Sequence, residues 1–285
     1  MDASSPNADQ IKYWNEMAGA KWVAFQDALD RQIEPLGLAA MDAIGDSIVA
    51  GARVLDVGCG CGATTLELAR RVAPGPAAGV DVSVPMLARA RERAERGKVT
   101  NVAFEQADAQ TYRFEPGFYD VVFSRFGVMF FNDPPAAFAN LKTAMRPGGK
   151  LAFACWQPID VNPWMAVPAR AAATVIPVTP RAPGAPGPFA FSDPEYVRGI
   201  LERAAFREIA IVSHVTDMTV GEAGMNLDET ARFAMQFGPT AVALRDAPAD
   251  AAPRVFEAVR TALAPFETER GVVLRAAIWI VTASP

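Results

Sequence analysis

The sequence predicts an α/β fold built on a mostly parallel sheet with helices over both faces. Two observations carry this. Short β-rich runs alternate with helical stretches over residues 53–145, and the first run ends in a glycine-rich turn that opens directly into a helix.

The elements follow in order. Residues 8–50 read as helical, with Trp14, Met17, Trp22 and Phe25 recurring at three- to five-residue steps and with Pro35 and Gly37 interrupting the pattern. Strands are expected at Arg53–Val57, Ala77–Val82, Val102–Ala107 and Tyr119–Ser124, and helices at Thr64–Val72, Pro85–Arg96 and Pro135–Met145. Ser83 is placed to cap the second of these helices ahead of Pro85. Arg146, Pro147, Gly148 and Gly149 close the third before a strand over Lys150–Trp156. Residues 157–194 hold nine of the 23 prolines, among them Pro180 and Pro183, with Trp164, Phe189 and Phe191 between them. This reads as an ordered covering lid with a short helix near Met165–Thr174 rather than a linker. Asp193–Ala205 is then a helix, Arg207–Val220 a long strand and Gly271–Thr282 a final β-rich run. An insertion with helices near Leu227–Phe237 and Ala252–Leu263 separates the last two.

Composition narrows the function classes. The chain has 285 residues, 51% of them hydrophobic, which is enough for one large core. The net charge is -5, and Arg89, Arg91, Arg93 and Arg96 alternate with Glu92 and Glu95 as on a solvated helix face, so no nucleic-acid partner is expected. Three cysteines and one histidine supply neither a disulfide framework nor a zinc site, so no metal is expected and the setting is read as reducing and cytoplasmic. The N-terminal stretch lacks the pattern of a secretory signal, and no apolar run reaches the ~18 residues of a membrane span.

Three motifs carry the chemistry. In the first, Val54 to Gly62 reads VLDVGCGCG, and glycines at 58, 60 and 62 let a ligand lie against backbone while the following helix N-terminus favours an anion. A purely structural glycine turn is an equal reading of that motif alone. Asp56 shifts the balance, because a carboxylate on an apolar strand needs a hydrogen-bonding reason. In the second, Asp81 ends the next β run 25 residues later, where it can accept both hydroxyls of a ribose or, equally, cap a helix. In the third, EQADA places Asp108 after the third strand, where it can accept from an adenine amine or serve as a loop aspartate.

Together with FYDVVFSRFGVMFF and NLKTAMRPGGKLAF, these stretches (VLDVGCGCGATT, GVDVSVPMLARAR, EQADAQ) resemble class I S-adenosylmethionine-dependent methyltransferases in order and spacing, over about residues 10–156. The resemblance is strongest to the branch near ubiquinone and menaquinone biosynthesis methyltransferases. NPW, PGPFAFSDP and AAIWIVTA in the later half resemble a less characterised bacterial subgroup. The resemblance implies a Rossmann-like seven-stranded mixed sheet, order 3-2-1-4-5-7-6 with strand 7 antiparallel, bearing an N-terminal helical cap and lid insertions. On this reading the chain is one methyltransferase domain, 1–285: cap 1–50, cofactor-binding core 51–156, lid 157–194, and a C-terminal half 195–285 with the helical insertion at about 221–270.

The resemblance also implies site roles. Gly58, Cys59 and Gly60 would meet S-adenosylmethionine through backbone, Asp81 its ribose, and Asp108 and Ala109 its adenine. Asp56, Val82 and Met86 belong to the same cofactor set, and Ser124 and Arg125 would face the methionine portion. Tyr13 and Trp22 would lie over the cofactor, an aromatic face being favourable beside a sulfonium, although core packing of the cap explains both as well. Trp14, Phe126, Met129, Trp156 and Trp164 are the candidate contacts to a small, hydrophobic or planar acceptor. Direct displacement at the methyl carbon needs no covalent residue. His214, the only histidine, is the one candidate base, and a structural histidine is the better reading. Two rivals stand beside this: a non-catalytic regulator that binds S-adenosylmethionine, and an NAD-dependent oxidoreductase, whose preferred spacing GxGxxG differs from the GxGxG here. Asn132-Asp-Pro-Pro135 reads as a turn and helix start, and Cys59 and Cys61 as small residues in the glycine turn.

Overall fold

A computed structural model describes residues 6–178, 182, 184–222, 224–248 and 250–285. Met1–Ser5 of the cap and Pro180 and Pro183 of the proline-rich stretch lie outside the described residues. The cap is formed by α1 (Ala8–Tyr13), a π-helical turn (Trp14–Ala18), α2 (Gly19–Ala24) and α3 (Gln26–Asp42). Then come β1 (Val54–Val57), α4 (Ala63–Val72), β2 (Ala77–Asp81), α5 (Val84–Arg96), β3 (Val102–Gln106), β4 (Tyr119–Arg125), α6 (Pro134–Ala144) and β5 (Met145–Trp156). The second half holds α7 (Pro163–Ala173), α8 (Pro194–Arg203), β6 (Arg207–Thr219), α9 (Leu227–Ala234), α10 (Gly238–Arg245), α11 (Ala251–Leu263), β7 (Glu267–Thr268) and β8 (Gly271–Ser284).

The sheet runs β3-β2-β1-β4-β5-β8-β6, parallel from β3 to β5 and antiparallel where β8 meets β5 and β6. This is the expected order, with one addition: the two-residue β7 pairs back on β8. Helix α10 is likewise an element the sequence reading passed over. All four β1 residues are buried, as the centre of a doubly covered sheet requires. The chain leaves β1 toward β2 and β3 and returns to β4 on its other side, so the C-terminal ends of β1 and β4 flank a crevice at the switch in strand order.

Three local expectations are corrected. Pro35 and Gly37 do not interrupt the cap helix; α3 runs through both. Pro35 is exposed, and Leu29, Ile33, Leu36 and Ala40 make a buried stripe at helical spacing. Burial of its three large side chains at about 2 kcal/mol each outweighs the roughly 3 kcal/mol cost of an interior proline. Gly37 has a packing reason instead, since a Cβ there would come 2.9 Å from Cδ of Arg125. Ser83 stands at the α5 N-cap position, yet its hydroxyl donates to the Trp14 carbonyl; the Val84 N–H is accepted by Asn15 Oδ1 at 2.9 Å. Residues 145–149 belong to β5, with an irregularity in its register against β4 between Tyr119 and Val121.

The insertion does not pack as a separate unit. Phe233, Val255, Val259 and Leu263 share a core with Leu29 of the cap and with Val272 and Leu274 of β8. The start of the lid is tied to the sheet by Asn162, which is fully buried: its Oδ1 accepts from the Ala277 N–H at 2.8 Å, and its Nδ2 donates to the Ala277 and Gln157 carbonyls at 3.0 Å. The side chain thus continues the β5–β8 ladder just beyond its last pair, Trp156 and Ile278. Asn162→Ala should therefore lower stability by about 3 kcal/mol, since it strands the buried Ala277 N–H and the Gln157 carbonyl, while the Ala277 carbonyl keeps the Gln157 N–H at 3.1 Å. Urea unfolding checks this.

Candidate active site

The glycine turn is shaped by packing from within. Gly58, Gly60 and Gly62 all have positive φ (67°, 55° and 79°), a region that strongly favours glycine. A Cβ on Gly58 would lie 2.6 Å from Cα of Gly127, one on Gly60 2.8 Å from the Met86 methyl, and one on Gly62 2.9 Å from Ala90 and Phe104. The contact at Gly58 is backbone on backbone, because a Cβ on Gly127 would in turn meet the Val57 carbonyl at 2.5 Å and Cα of Gly58 at 2.7 Å. Gly127 carries no such signal in the sequence, where only the glycines of the first turn read as ligand-facing.

The N–H groups of the turn are also committed. Gly58 and Cys59 donate to the Val80 carbonyl, Gly60 to Asp81 Oδ2 at 2.8 Å, and Gly62 to the Cys59 carbonyl. The anion near the N-terminus of α4 belongs to the protein: Oδ2 of Asp56 accepts from the hydroxyls of Thr64 and Thr65 at 2.6 and 2.7 Å, while its Oδ1 is buried without a partner. Burial pushes the Asp56 carboxyl up to about 6, against the lowering effect of the two threonines and Arg125. The bonds to Val80, Asp81 and Cys59 commit the N–H groups of Gly58, Cys59, Gly60 and Gly62 to the protein itself.

One cavity of about 1410 Å³ opens at this crevice and takes in most of the predicted residues. On one side lie Gly58, Cys59, Gly60, Asp81, Val82, Met86, Asp108 and Ala109. Asp81 accepts from the N–H groups of Gly60 and Ser83 at 2.8 Å, and its carboxyl is raised by burial against those bonds. Oδ1 of Asp108 accepts from Asn7 Nδ2 at 2.8 Å and from the Gln110 N–H at 3.0 Å. Burial keeps the Cys59 and Cys61 thiols protonated, the latter pushed up to about 12, which suits small packing residues.

Over this side leans the cap. Tyr13, Trp14 and Trp22 line the cavity, Trp14 meeting Tyr13, Trp22 and Phe130 edge to face at 5.6, 5.9 and 5.2 Å. The cavity is also lined by Phe126, Met129, Trp156 and Trp164. Phe126 stacks on Trp156 at 4.2 Å with planes 4° apart, and Trp164 follows at 4.9 Å. Phe126 adopts a left-handed φ of 64°, costing roughly 1–2 kcal/mol, a strain the flat stacking and the neighbouring Gly127 help to hold.

Arg125 also lines the cavity, and its surroundings were not legible in the sequence. Asp30 of α3 lies between two guanidiniums, 3.3 Å from Arg125 and 2.9 Å from Arg93, a three-membered group of net charge +1 of which Asp30 and Arg125 line the cavity. Gln26 joins the same seam by donating to Asp30 and accepting from Arg89.

Three predicted residues fall outside the cavity lining. Asp56 sits behind the turn, as described. Ser124 faces inward too: its hydroxyl donates to the Val57 carbonyl at 2.7 Å and accepts from the Gly127 N–H at 3.2 Å, bracing β1 against the Gly127 turn instead of meeting a ligand. His214 stands on the edge strand β6 opposite Ile278, so the chain's one histidine takes no part in this cavity.

Residues 54–149 match the methyltransferase domain family. The chain is 34% identical over 170 residues to nocamycin O-methyltransferase of Saccharothrix syringae, covering 56% of this chain and 60% of that enzyme. It is 34% identical over 106 residues to aklanonic acid methyltransferase DauC of Streptomyces sp. strain C5, covering 37% and 48%. The chain thus spans less than two thirds of the length of these relatives. Among solved structures it superposes on the YcgJ protein of Bacillus subtilis with a TM-score of 0.56 at 17% identity, covering 86% of this chain and 97% of that one. It superposes likewise on phosphoethanolamine N-methyltransferase 2 of Haemonchus contortus in complex with S-adenosyl-L-methionine, with a TM-score of 0.53 at 21% identity, covering 88% and 52%. At these identities the likeness is one of fold. None of these relatives singles out the quinone-biosynthesis branch.

Two outcomes follow from the site. Gly127→Ala should abolish ligand binding at the crevice and lower the melting temperature, because neither neighbour is a flexible side chain; Gly45→Ala, with no atom within 4 Å of its Cβ, should leave both unchanged. Between the ordinary value of 3.8 and about 6 the native state binds more protons at Asp56 than the unfolded chain does, so this residue makes stability fall as pH rises through that window, by ~3 kcal/mol. Urea midpoints from pH 4 to 7 should show that fall in the wild type and its loss in Asp56→Asn.

Proposed function

We propose, from the match of residues 54–149 to the methyltransferase domain family, that this protein transfers a methyl group from S-adenosylmethionine to a small, apolar or planar organic acceptor. The observation that carries the reading is the single cavity of about 1410 Å³, continuous from the strand-end turn to the aromatic wall. One small-ligand site occupies ~300–1,000 Å³, so this volume suits a donor and an acceptor together.

The residues on the turn side fit the donor. Asp81 and Asp108 present carboxylates to ribose hydroxyls and to an adenine amine, and the excess charge of the Arg93–Asp30–Arg125 group suits the carboxylate of a methionine moiety. Tyr13, Trp14 and Trp22 offer aromatic surface to a sulfonium. A dinucleotide is less favoured, because its turn prefers the spacing GxGxxG over the GxGxG at Gly58, Gly60 and Gly62.

When bound, S-adenosylmethionine supplies an electrophilic methyl group. What the chain contributes is position and dehydration: the turn, Asp81 and Asp108 fix one partner, while the wall of Phe126, Trp156 and Trp164 excludes water from the other and holds it close. This accords with the absence of any histidine from the cavity. The relatives' names, nocamycin and aklanonic acid, support a small-molecule acceptor. Among the described residues no helix is long and apolar enough to cross a membrane, and three buried free cysteines support a cytoplasmic setting.

Calorimetric titration should show binding of S-adenosylmethionine and S-adenosylhomocysteine, no binding of NAD, and a loss of about tenfold or more in affinity in Asp81→Ala, or 1.4 kcal/mol. NAD binding alone would overturn the reading. Donor binding without turnover across a panel of planar phenols, acids and amines would favour the regulatory alternative.

A further inference from the structure

Three cations line the cavity among the described residues, and two of them are ion-paired, Arg125 with a carboxylate it shares with Arg93. Arg125 faces Asp30 at 3.3 Å and Arg245 faces Asp246 at 3.1 Å. Lys21 pairs with no carboxylate among the described residues. Its ammonium donates only to the Gln236 carbonyl, at 3.4 Å, beyond the usual 2.7–3.2 Å of such a bond.

The surroundings of Lys21 make that charge consequential. It is half-buried on α2, beside Trp22, and Trp22 meets Phe237 edge to face at 6.1 Å on the far side of Gln236. Apolar walls reduce the hydration of an ammonium without replacing it, so an anion brought to this point would form a charge-assisted bond in a medium that screens it weakly. Lys21 also reaches the insertion at Gln236, whereas the charge excess on the turn side resides in Arg93, Asp30 and Arg125. The two positive centres thus have different neighbours in the cavity wall.

We infer that the acceptor is an organic acid, a carboxylate or acidic phenol on an extended apolar skeleton, and that Lys21 is the specificity residue that recognises its charge. This rests on the methyltransferase reading above. A neutral acceptor of the same shape would fill the aromatic wall and leave the ammonium uncompensated.

The test uses the full chain saturated with S-adenosylhomocysteine, titrated with anthraquinone-2-carboxylate, its methyl ester and 2-hydroxyanthraquinone above the phenol's pKa, with tryptophan fluorescence as the readout. The wild type should bind at least one of the two anions about tenfold more tightly than the ester, and which anion it prefers separates carboxylate from phenol. Lys21→Met should remove that preference and Lys21→Arg retain it, both with unchanged affinity for S-adenosylhomocysteine and an unchanged melting temperature. Equal binding of anions and ester in the wild type, no binding of either anion, or a preference that survives in Lys21→Met overturns the inference. A fall in S-adenosylhomocysteine affinity in Lys21→Met also overturns it, by assigning Lys21 to the donor. Failure of the wild type to bind S-adenosylhomocysteine at all would instead overturn the methyltransferase reading.

Discussion

The close approach of Gly58 to Gly127 is the constraint from which the rest of the site takes its shape. The ends of β1 and β4 meet there with no side chain between them, and the Ser124 hydroxyl closes the contact by bonding both the Val57 carbonyl and the Gly127 N–H. Because the two backbones touch, Phe126 is turned into a left-handed conformation that presents its ring to Trp156, while the turn itself is directed toward Asp81. One small-residue contact thus positions both halves of the cavity. Its rigidity is that of close-packed backbone, which has no rotamer to relax into.

A second layer of organisation joins the cap to this frame, and it is polar. Asn7 reaches Asp108, Asn15 bonds the Val82 carbonyl and the Val84 N–H, the Ser83 hydroxyl meets the Trp14 carbonyl, Gln26 meets Arg89, and Asp30 lies between Arg93 and Arg125. Ion pairs at partly buried positions contribute little net stability once desolvation is counted. What they supply is register, for they hold the cap against Val82, Asp108 and Arg125, which line the cavity. The aromatic surface of Tyr13, Trp14 and Trp22 is aimed by this seam, so the cap and the turn behave as parts of one site even though apolar burial of α3 supplies most of the adhesion.

Much of this was legible in the sequence, unevenly so. The strand and helix rhythm, the sheet order implied by the resemblance and the placement of Asp81, Asp108 and the aromatic cap at the cavity rest on periodicity and on motifs a few residues long, both local properties of the chain. Ser124 and Asp56 read as ligand contacts because their motifs lie at the right strand ends, yet each side chain faces inward, and strand position alone cannot tell which side of a turn a hydroxyl or carboxylate will face. Gly37 read as a break because a glycine in a helix is usually one; its reason is the Arg125 side chain, 88 residues away in the sequence.

The sequence by itself determined that this chain forms a doubly covered, mostly parallel sheet with a glycine turn at its first strand end and acids at the next two, because hydrophobic period, capping and turn chemistry are encoded within windows of a few residues. Only the tertiary structure decided that the turn's N–H groups are taken by Val80 and Asp81, that Gly127 is the partner of Gly58, that His214 lies on a remote edge strand, and that Lys21 alone among the described cavity-lining cations lacks a carboxylate. Each of these is a question of which distant groups meet. Pairing across tens to hundreds of residues is set by the packing of whole elements, and no local pattern records it.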